Sequence, residues 1–264
     1  MTQKLFLPES MCQIDSNMNR RKLIVSFKKQ EVVIGKITRL NSKEQFFEVD
    51  LGGNLVGIMP FEVSTIYPIY KDNGKFSYGF ISLVGKIIQA KIIKYDNNNI
   101  VLSRKAVMLE ALELLKQTSE VKFAAITSFS HLSAFMDIGA GIIGKSGTYD
   151  FCHAIYKNAE DVGFKKGDII RAKITKFQPE LNCFDLSVVS YLPNPEEVFS
   201  VDDVVTCKVF GSVGDNIGYY ILIDNKYNGI VDSPFYKLHY GDELSAFINK
   251  ITPNGLRLKI VEKL

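Results

Sequence analysis

The chain has 264 residues, of which 46% are hydrophobic and 23% are charged, and its formal net charge is +3. This composition is typical of a folded soluble protein, and no apolar run reaches the ~20 residues that a membrane-spanning helix needs. The start of the chain lacks the apolar stretch of a signal peptide. The sequence therefore predicts a cytoplasmic protein with no membrane partner.

The first 29 residues carry six basic and two acidic side chains. Basic segments attract phosphate groups through the release of counterions, and chain ends that are not tied down are poorly ordered. We therefore expect residues 1–29 to form a flexible basic leader.

After the leader, one pattern occurs three times. A glycine is followed five residues later by an alanine, and then by isoleucine and lysine at alternate positions. Alternating apolar residues are typical of a half-buried strand, and the glycine indicates the turn before it. The three segments are Gly85–Lys94, Gly167–Lys176 and Gly241–Lys250.

Each of these segments is followed by a turn and another strand, and each is preceded by a block of three shorter strands. Five-stranded units of this length close into OB-fold barrels, so we predict an all-β fold of three tandem five-stranded OB-fold barrels with short helical inserts. Helical spacing of apolar residues predicts a linker helix after the first unit, and prolines predict a stiff linker after the second. The predicted segments are 1–29 (leader), 30–105 (first repeat), 106–118 (linker helix), 119–191 (second repeat), 192–198 (linker) and 199–264 (third repeat).

The first repeat contains the motifs Gly35–Ile37, Val49–Gly52, Gly57–Pro60, Lys91–Lys94 and Asn99–Lys105. In this order they resemble the S-one-type RNA-binding domain, an OB-fold module named after the largest small-subunit ribosomal protein. The resemblance implies a protein that holds single-stranded RNA, is linked to translation or to the small ribosomal subunit, and has no catalytic residues. A second resemblance lies in Ser133–Gly139, which is similar to a strand of the same family.

Single strands are held by bases that stack on aromatic side chains and by cations that follow the phosphate backbone. Alternation along the second strand places Phe135 and Tyr220 outward, where the family has its base-stacking phenylalanine and the first repeat has Glu48. Phe46 and His131 share the outward position and complete the predicted stacking set. The predicted phosphate contacts are Lys36, Arg39, Lys94, Arg104, Lys105, Lys122, Arg171, Lys173 and Lys176.

The segment Gly139–Ser146 reads G-A-G-I-I-G-K-S and matches the phosphate-loop pattern of nucleotide hydrolases. That loop works between a strand and a crossover helix, whereas here its glycines belong to a repeat that occurs twice more without the lysine. A nucleotide hydrolase is therefore a remote alternative, and we expect no enzyme activity.

A second alternative is an OB-fold adaptor that docks to a ribosome or to another protein complex. Acidic residues outnumber basic ones in the third repeat, and the histidine that the family favours after its third strand is missing from all three repeats. The four cysteines form no closely spaced pair and do not cluster with the three histidines, so we expect no metal site and no cofactor.

Overall fold

The computed structural model describes residues 5–69, 71–72, 75–76, 78–96, 99–130, 132–152, 164–213, 218–224, 226–232, 237–252 and 255–264. The strands form three closed five-stranded barrels. In each barrel the first three strands are sequential neighbours and the fifth lies between the third and the fourth. This topology confirms the predicted fold of three tandem OB-fold barrels.

The first barrel carries its insert between the third and fourth strands. Its core contains the rings of Phe47, Phe61 and Phe80, whose centroids lie 4.9–5.0 Å apart. The barrel strands are β1 (Val33–Asn41), β2 (Phe46–Asp50), β3 (Val56–Pro60), β6 (Ile87–Asp96) and β7 (Asn99–Ser103). The insert contains the 3-10 helix η2 (Phe61–Val63), strands β4 (Lys71–Asp72) and β5 (Lys75–Phe76), and helix α2 (Tyr78–Ile81).

The prediction of a flexible leader over residues 1–29 is wrong for residues 5–29, the part that the structure describes. Residues 5–29 form an ordered segment with a 3-10 helix η1 (Glu9–Met11) and a helix α1 (Arg20–Lys29). Leu23 of α1 is fully buried in the core of the first barrel. Anchoring by this apolar side chain explains why a segment with many charges is packed against the barrel.

The linker helix is confirmed as α3 (Arg104–Leu115). It begins at Ser103, whose hydroxyl accepts a hydrogen bond from the backbone N–H of Ala106 at 3.1 Å, as an N-cap residue does. Five of its apolar side chains are buried at helical spacing, as the sequence predicts, whereas Leu109 is exposed. The buried apolar residues are Val107, Met108, Ala111, Leu112 and Leu115.

The other two barrels follow the same order of strands. Within the described residues, no helix is long and apolar enough to span a membrane. The second barrel comprises β8 (Glu120–Ser130), β9 (Ser133–Asp137), β10 (Ile143–Gly147), β11 (Ile169–Gln178) and β12 (Cys183–Ser187), with helix α4 (Thr148–Phe151) after β10 and a 3-10 helix η3 (Val189–Tyr191) after β12. After helix α5 (Pro195–Val198), the third barrel comprises β13 (Val204–Ser212), β14 (Gly218–Ile223), β15 (Tyr227–Asp232), β16 (Glu243–Thr252) and β17 (Gly255–Lys263).

The repeated glycine has the same role in every barrel. It adopts a positive φ of 87° to 97°, which is easy only for glycine, and it ends the turn before the fourth strand. Its N–H donates to a backbone carbonyl on the first strand of the barrel. In the first and third barrels the accepting residue comes directly before a bulge. The donor and acceptor pairs are Gly85 and Ile37 at 2.7 Å, Gly167 and Ile126 at 2.8 Å, and Gly241 and Val209 at 2.8 Å.

The chain divides into two compact units, and the division passes through the second barrel. The first unit contains Met1–Ala125, Met136–Gly144 and Ile174–Asp185, and the second contains Ile126–Phe135, Lys145–Lys173 and Leu186–Leu264.

Candidate nucleic-acid interface

One row of outward-facing side chains crosses the sheet of the third barrel. The strand register places Lys250 opposite Arg257, Arg257 opposite Ile230, and Ile230 opposite Tyr220. The next residue along β14, Ile221, is fully buried in the core, so Tyr220 faces outward. The row therefore presents Lys250, Arg257 and an aromatic ring on one surface of the barrel, and the guanidinium of Arg257 also lies 3.9 Å from the carboxylate of Asp232.

A second aromatic ring stands beside this row. Phe210 lies in the bulge of β13 between Val209 and Gly211, and its ring centroid is 5.9 Å from that of Tyr220 with a tilt of 32°. Both rings are half-buried. Strict alternation failed to identify Phe210, because a bulge adds one residue and redirects the side chain. The structure thus adds Phe210 to the candidate interface.

The equivalent row of the first barrel is closed by an ion pair. It contains Lys94, Val101, Ile58, Glu48 and Arg39, which are paired in this order across β6, β7, β3, β2 and β1. Glu48 occupies the position of Tyr220, and its carboxylate lies 3.5 Å from the guanidinium of Arg39. The carboxylate of Glu48 stands where the third barrel has a ring, and it cannot stack on a base and repels phosphate, so this row does not suit a nucleic acid.

In the second barrel the same position holds Phe135. The hydroxyl of Thr127 donates to the backbone carbonyl of Phe135 at 3.1 Å, and Thr38 donates in the same way to Glu48 at 3.3 Å. The repeated hydrogen bond aligns Phe135 with Glu48. The ring of Phe135 is half-buried between two buried neighbours on β9, so it points outward as alternation predicted.

The turns after the second strand align the phosphate-loop match with the repeat. In the first barrel the N–H of Leu51 donates to the carbonyl of Leu55 at 2.9 Å, and in the second barrel Ile138 donates to Ile142 at 3.0 Å. Counting on from these turns, Gly144 of the second barrel is equivalent to Gly57 on strand β3 of the first barrel.

This alignment explains the G-K-S sequence without a nucleotide. Gly144, Lys145 and Ser146 lie within strand β10 rather than at the start of a long helix. Lys145 is exposed and is equivalent to Ile58, which pairs with Glu48 in the first barrel. Ser146 is fully buried on the inward face. Among the described residues, the match forms a turn and part of a strand and does not lead directly into a long crossover helix of the kind that phosphate loops use. Lys145 instead adds a cation beside the aromatic position of the second barrel.

The earlier glycines of the same match are required by packing. A Cβ atom on Gly139 would lie 2.5 Å from the carbonyl oxygen of Leu5, and one on Gly141 would collide with the guanidinium of Arg104. Both glycines also have positive φ values, 135° and 74°. Their backbone therefore contacts the N-terminal segment, and no open loop is left for phosphates.

Arg104 is a predicted phosphate contact that the structure contradicts. Its side chain is buried and forms a bidentate pair with Glu9, with Nε–Oε1 at 2.7 Å and Nη2–Oε2 at 2.8 Å. Burial disfavours the charged guanidinium, but the carboxylates of Glu9 and Asp137 offset it, and the pKa of Arg104 is raised. The buried ion pair between Arg104 and Glu9 therefore links α3 to the N-terminal segment.

Asp137 and Tyr67 add further buried hydrogen bonds close to this ion pair, within the first unit. Asp137 accepts hydrogen bonds from the backbone N–H groups of Glu9, Gly139 and Gly141 at 2.7, 2.9 and 3.0 Å. Burial and the neighbouring charge of Glu9 raise its pKa to about 7. The Tyr67 hydroxyl accepts from the N–H of Ile143 at 2.7 Å, and burial raises its pKa. These polar groups satisfy one another, which makes them structural rather than ligand-binding.

The other predicted cations are exposed, and some of them also contact a neighbouring side chain. Phe46 is half-buried at the start of β2, and His131 lies outside the described residues. Lys94 is 3.4 Å from Asp96, and Arg171 lies 4.6 Å from the ring centroid of Tyr191. The predicted cations that are exposed are Lys36, Arg39, Lys94, Lys105, Lys122, Arg171, Lys173 and Lys176. In the described part of the chain, no group of His, Cys, Asp and Glu is arranged to hold a metal ion.

Comparisons with known proteins find similarity at the level of solved structures. No family model matches the sequence, and no curated protein matches it. An a/eIF2alpha–aDim2p–rRNA complex from Pyrococcus horikoshii matches 30% of the chain with 20% identity and a TM-score of 0.25, and the chain spans 47% of that structure's length. A Streptococcus pneumoniae multidomain protein with nucleic acid binding domains matches 88% of the chain and 74% of its own length, with 11% identity and a TM-score of 0.23. The drosophila Unr structure matches 88% of the chain and 97% of its own length, with 13% identity and a TM-score of 0.20.

Proposed function

We propose that this chain holds single-stranded RNA, with little sequence preference, on the outward rows of its second and third barrels. The observation that carries the proposal is the residue at one equivalent position in the three barrels. In the second barrel this position holds Phe135, with Lys145 beside it. In the third barrel it holds Tyr220, with the ring of Phe210 beside it. In the first barrel it holds Glu48, which is paired with Arg39. Two barrels therefore offer a ring for a base, and one does not.

The chemistry of these rows suits a single strand. A base stacked on an aromatic ring contributes about 1–3 kcal/mol whatever its identity, because every base has a flat face. The cations Arg257 and Lys250 lie in the same row as Tyr220, where they can contact the phosphates on either side of a stacked base. Such a surface binds through general features of the strand, and the chain acts as a binding protein rather than an enzyme.

Replacing Phe135 or Tyr220 with alanine is expected to weaken RNA binding about tenfold to hundredfold, as the loss of one stacked base predicts. Both rings face outward, so the melting temperature stays close to that of the wild type. Fluorescence anisotropy with a uridine-rich oligonucleotide measures the affinity, and circular dichroism measures the stability. The matched control is Glu48→Ala, which changes the same row position in the first barrel and should not weaken binding.

Two results would contradict this assignment. Truncating a buried ring costs about 3–5 kcal/mol of stability, so a destabilised Phe135→Ala protein would identify that ring as part of the core. A stable Tyr220→Ala protein with unchanged affinity would show that its ring is not in contact with RNA.

The link to translation is a finer proposal that rests on the motifs of the first repeat. These motifs resemble S-one-type domains, and the closed outward row of the first barrel leaves that barrel available for docking to the small ribosomal subunit. Cosedimentation of the chain with purified small subunits in a sucrose gradient is the readout. Failure to cosediment at low salt would remove the ribosome from the proposal and leave RNA binding intact.

A further inference from the structure

Helix α1 is held firmly on the first barrel by one face. Leu23 is fully buried in the barrel core, and the ring of Phe27 stacks on Tyr95 with centroids 6.3 Å apart. The helix begins at Asn19, whose side chain accepts a hydrogen bond from the N–H of Lys22 at 3.0 Å. It ends at Gln30, which adopts a left-handed conformation with φ of 54°. The opposite face of the helix is therefore presented to solvent in a fixed orientation.

This solvent-exposed face is strongly basic. At about 100° per residue, Arg21 and Lys28 lie opposite Leu23, Lys29 lies about 120° from it, and Arg20 lies about 60° from it. All four side chains are exposed, and we name them the α1 basic face: Arg20, Arg21, Lys28 and Lys29. Two of these cations stand at the start of the helix and two at its end. Exposed cations at both ends of the helix are able to contact separate phosphates of one strand.

The cations of the α1 basic face are poorly neutralised by the protein itself. Among the described side chains, no carboxylate forms an ion pair with Arg20, Arg21 or Lys28, and Lys29 is 4.0 Å from Glu31. The remaining cation of the helix, Lys22, lies within about 20° of Lys29 around the helix, but its ammonium group binds the carboxylate of Asp15 at 2.7 Å. These charges are thus available to an external anion.

The position of the two arginines argues against a role in folding. They occupy the first turn of α1, which contains no acidic residue. The N-terminal end of a helix carries a partial positive charge, so cations there destabilise the helix. Arg20 and Arg21 therefore work against the stability of the helix that carries them, and their charge is better explained by an anion that binds from outside.

We infer that the α1 basic face binds the phosphate backbone of the single-stranded RNA proposed above, and this inference rests on that proposed function. RNA is favoured as the occupant because its charge is complementary and because the guanidinium fork matches phosphate oxygens. The assignment also gives the first barrel a role, since its own outward row is closed by Glu48 and Arg39. The first barrel contributes backbone affinity, and the other two contribute stacking.

The test is the salt dependence of RNA binding by the double variants Arg20→Gln/Arg21→Gln and Lys28→Gln/Lys29→Gln. For single strands, the slope of log affinity against log salt is about −0.7 per phosphate contact. Each variant should bind more weakly at low salt and show a slope shallower by about 0.7 for every contact that it loses. Glutamine keeps the helix, and removing arginines from the first turn should leave the melting temperature unchanged or slightly higher.

Two controls show whether the position of the lost charge matters. Lys165→Gln/Lys166→Gln removes two exposed charges elsewhere and should leave the slope as in the wild type. Val25→Gln changes an exposed apolar residue, 45% accessible, that lies among the cations, and it should not alter RNA affinity.

Each outcome has a distinct meaning. If the wild type binds no RNA at low salt, both the proposed function and this inference fail. If the wild type binds RNA but the α1 variants keep its slope, only the role of the α1 basic face is overturned. Binding to phosphatidylserine–phosphatidylcholine vesicles that is lost in Arg20→Gln/Arg21→Gln and Val25→Gln, with RNA binding unchanged, would assign the face to a lipid surface instead.

Discussion

Replacing Arg104 with methionine is expected to lower the free energy of unfolding by about 3–5 kcal/mol, because it leaves a buried carboxylate without its partner. The side chains of Arg104 and Glu9 are only 6% and 9% exposed. The carboxylate of Glu9 also accepts a hydrogen bond from the backbone N–H of Gln89 at 3.2 Å, but this neutral donor does not replace the charge of the guanidinium. Urea denaturation followed by circular dichroism measures the loss.

The control for this variant lies one residue along the same helix. Lys105 is exposed, so Lys105→Met should change stability by less than about 0.5 kcal/mol. A double variant, Glu9→Leu/Arg104→Met, replaces both charges and should recover much of the stability, because an apolar pair avoids the unpaired charge. If Arg104→Met proves as stable as the wild type, the buried pair does not hold the N-terminal segment in place.

The stability of the first unit is expected to fall as pH rises between about 4 and 7, because burial and the charge of Glu9 raise the pKa of Asp137 to about 7. The folded state then binds a proton that the unfolded state, with an ordinary pKa near 3.8, has already released. Stability is therefore greatest below the unfolded pKa and is lost as pH rises through the folded value. A pKa displacement of this size corresponds to a change of roughly 4 kcal/mol in the free energy of unfolding.

The measurement is the free energy of unfolding as a function of pH for the wild type and Asp137→Asn. The asparagine oxygen still accepts from Gly139 and Gly141, but its amide cannot accept from the N–H of Glu9. We therefore expect Asp137→Asn to be less stable at pH 4 and to lack the decline between pH 4 and 7. The matched control is Asp50→Asn, since Asp50 caps the same turn of the first barrel through Gly52 at 2.9 Å and is less buried. Identical pH profiles for wild type and Asp137→Asn would mean that Asp137 titrates normally.

The fold was predictable because its determinants are local. The repeated glycines mark turns that need a positive φ, and alternation with period two identifies the strands and their inward faces. The outward positions of Phe135 and Tyr220 follow from the same period, since their neighbours Met136 and Ile221 are buried. Sequence reasoning therefore identified the barrels and the two rings that lie at equivalent positions.

The errors arose where tertiary partners decide the role of a residue. Arg104 follows a strand like any surface cation, but its partner Glu9 lies 95 positions earlier in the chain. The same partner orders the N-terminal segment, which composition alone described as a flexible leader. Phe210 was missed because the bulge that exposes it interrupts the alternation. Local patterns do not contain this information.

The most direct test of RNA binding by the outward rows is to locate the contacts of a bound strand. A 4-thiouridine oligonucleotide crosslinked to the wild-type chain, followed by mass spectrometry of the digested complex, identifies the residues in contact with bases. We expect crosslinks on β9 and β10 at Phe135 or Lys145, and on β13 and β14 at Phe210 or Tyr220. Crosslinks confined to the strands of the first barrel around Glu48, or none in any barrel, would contradict this expectation.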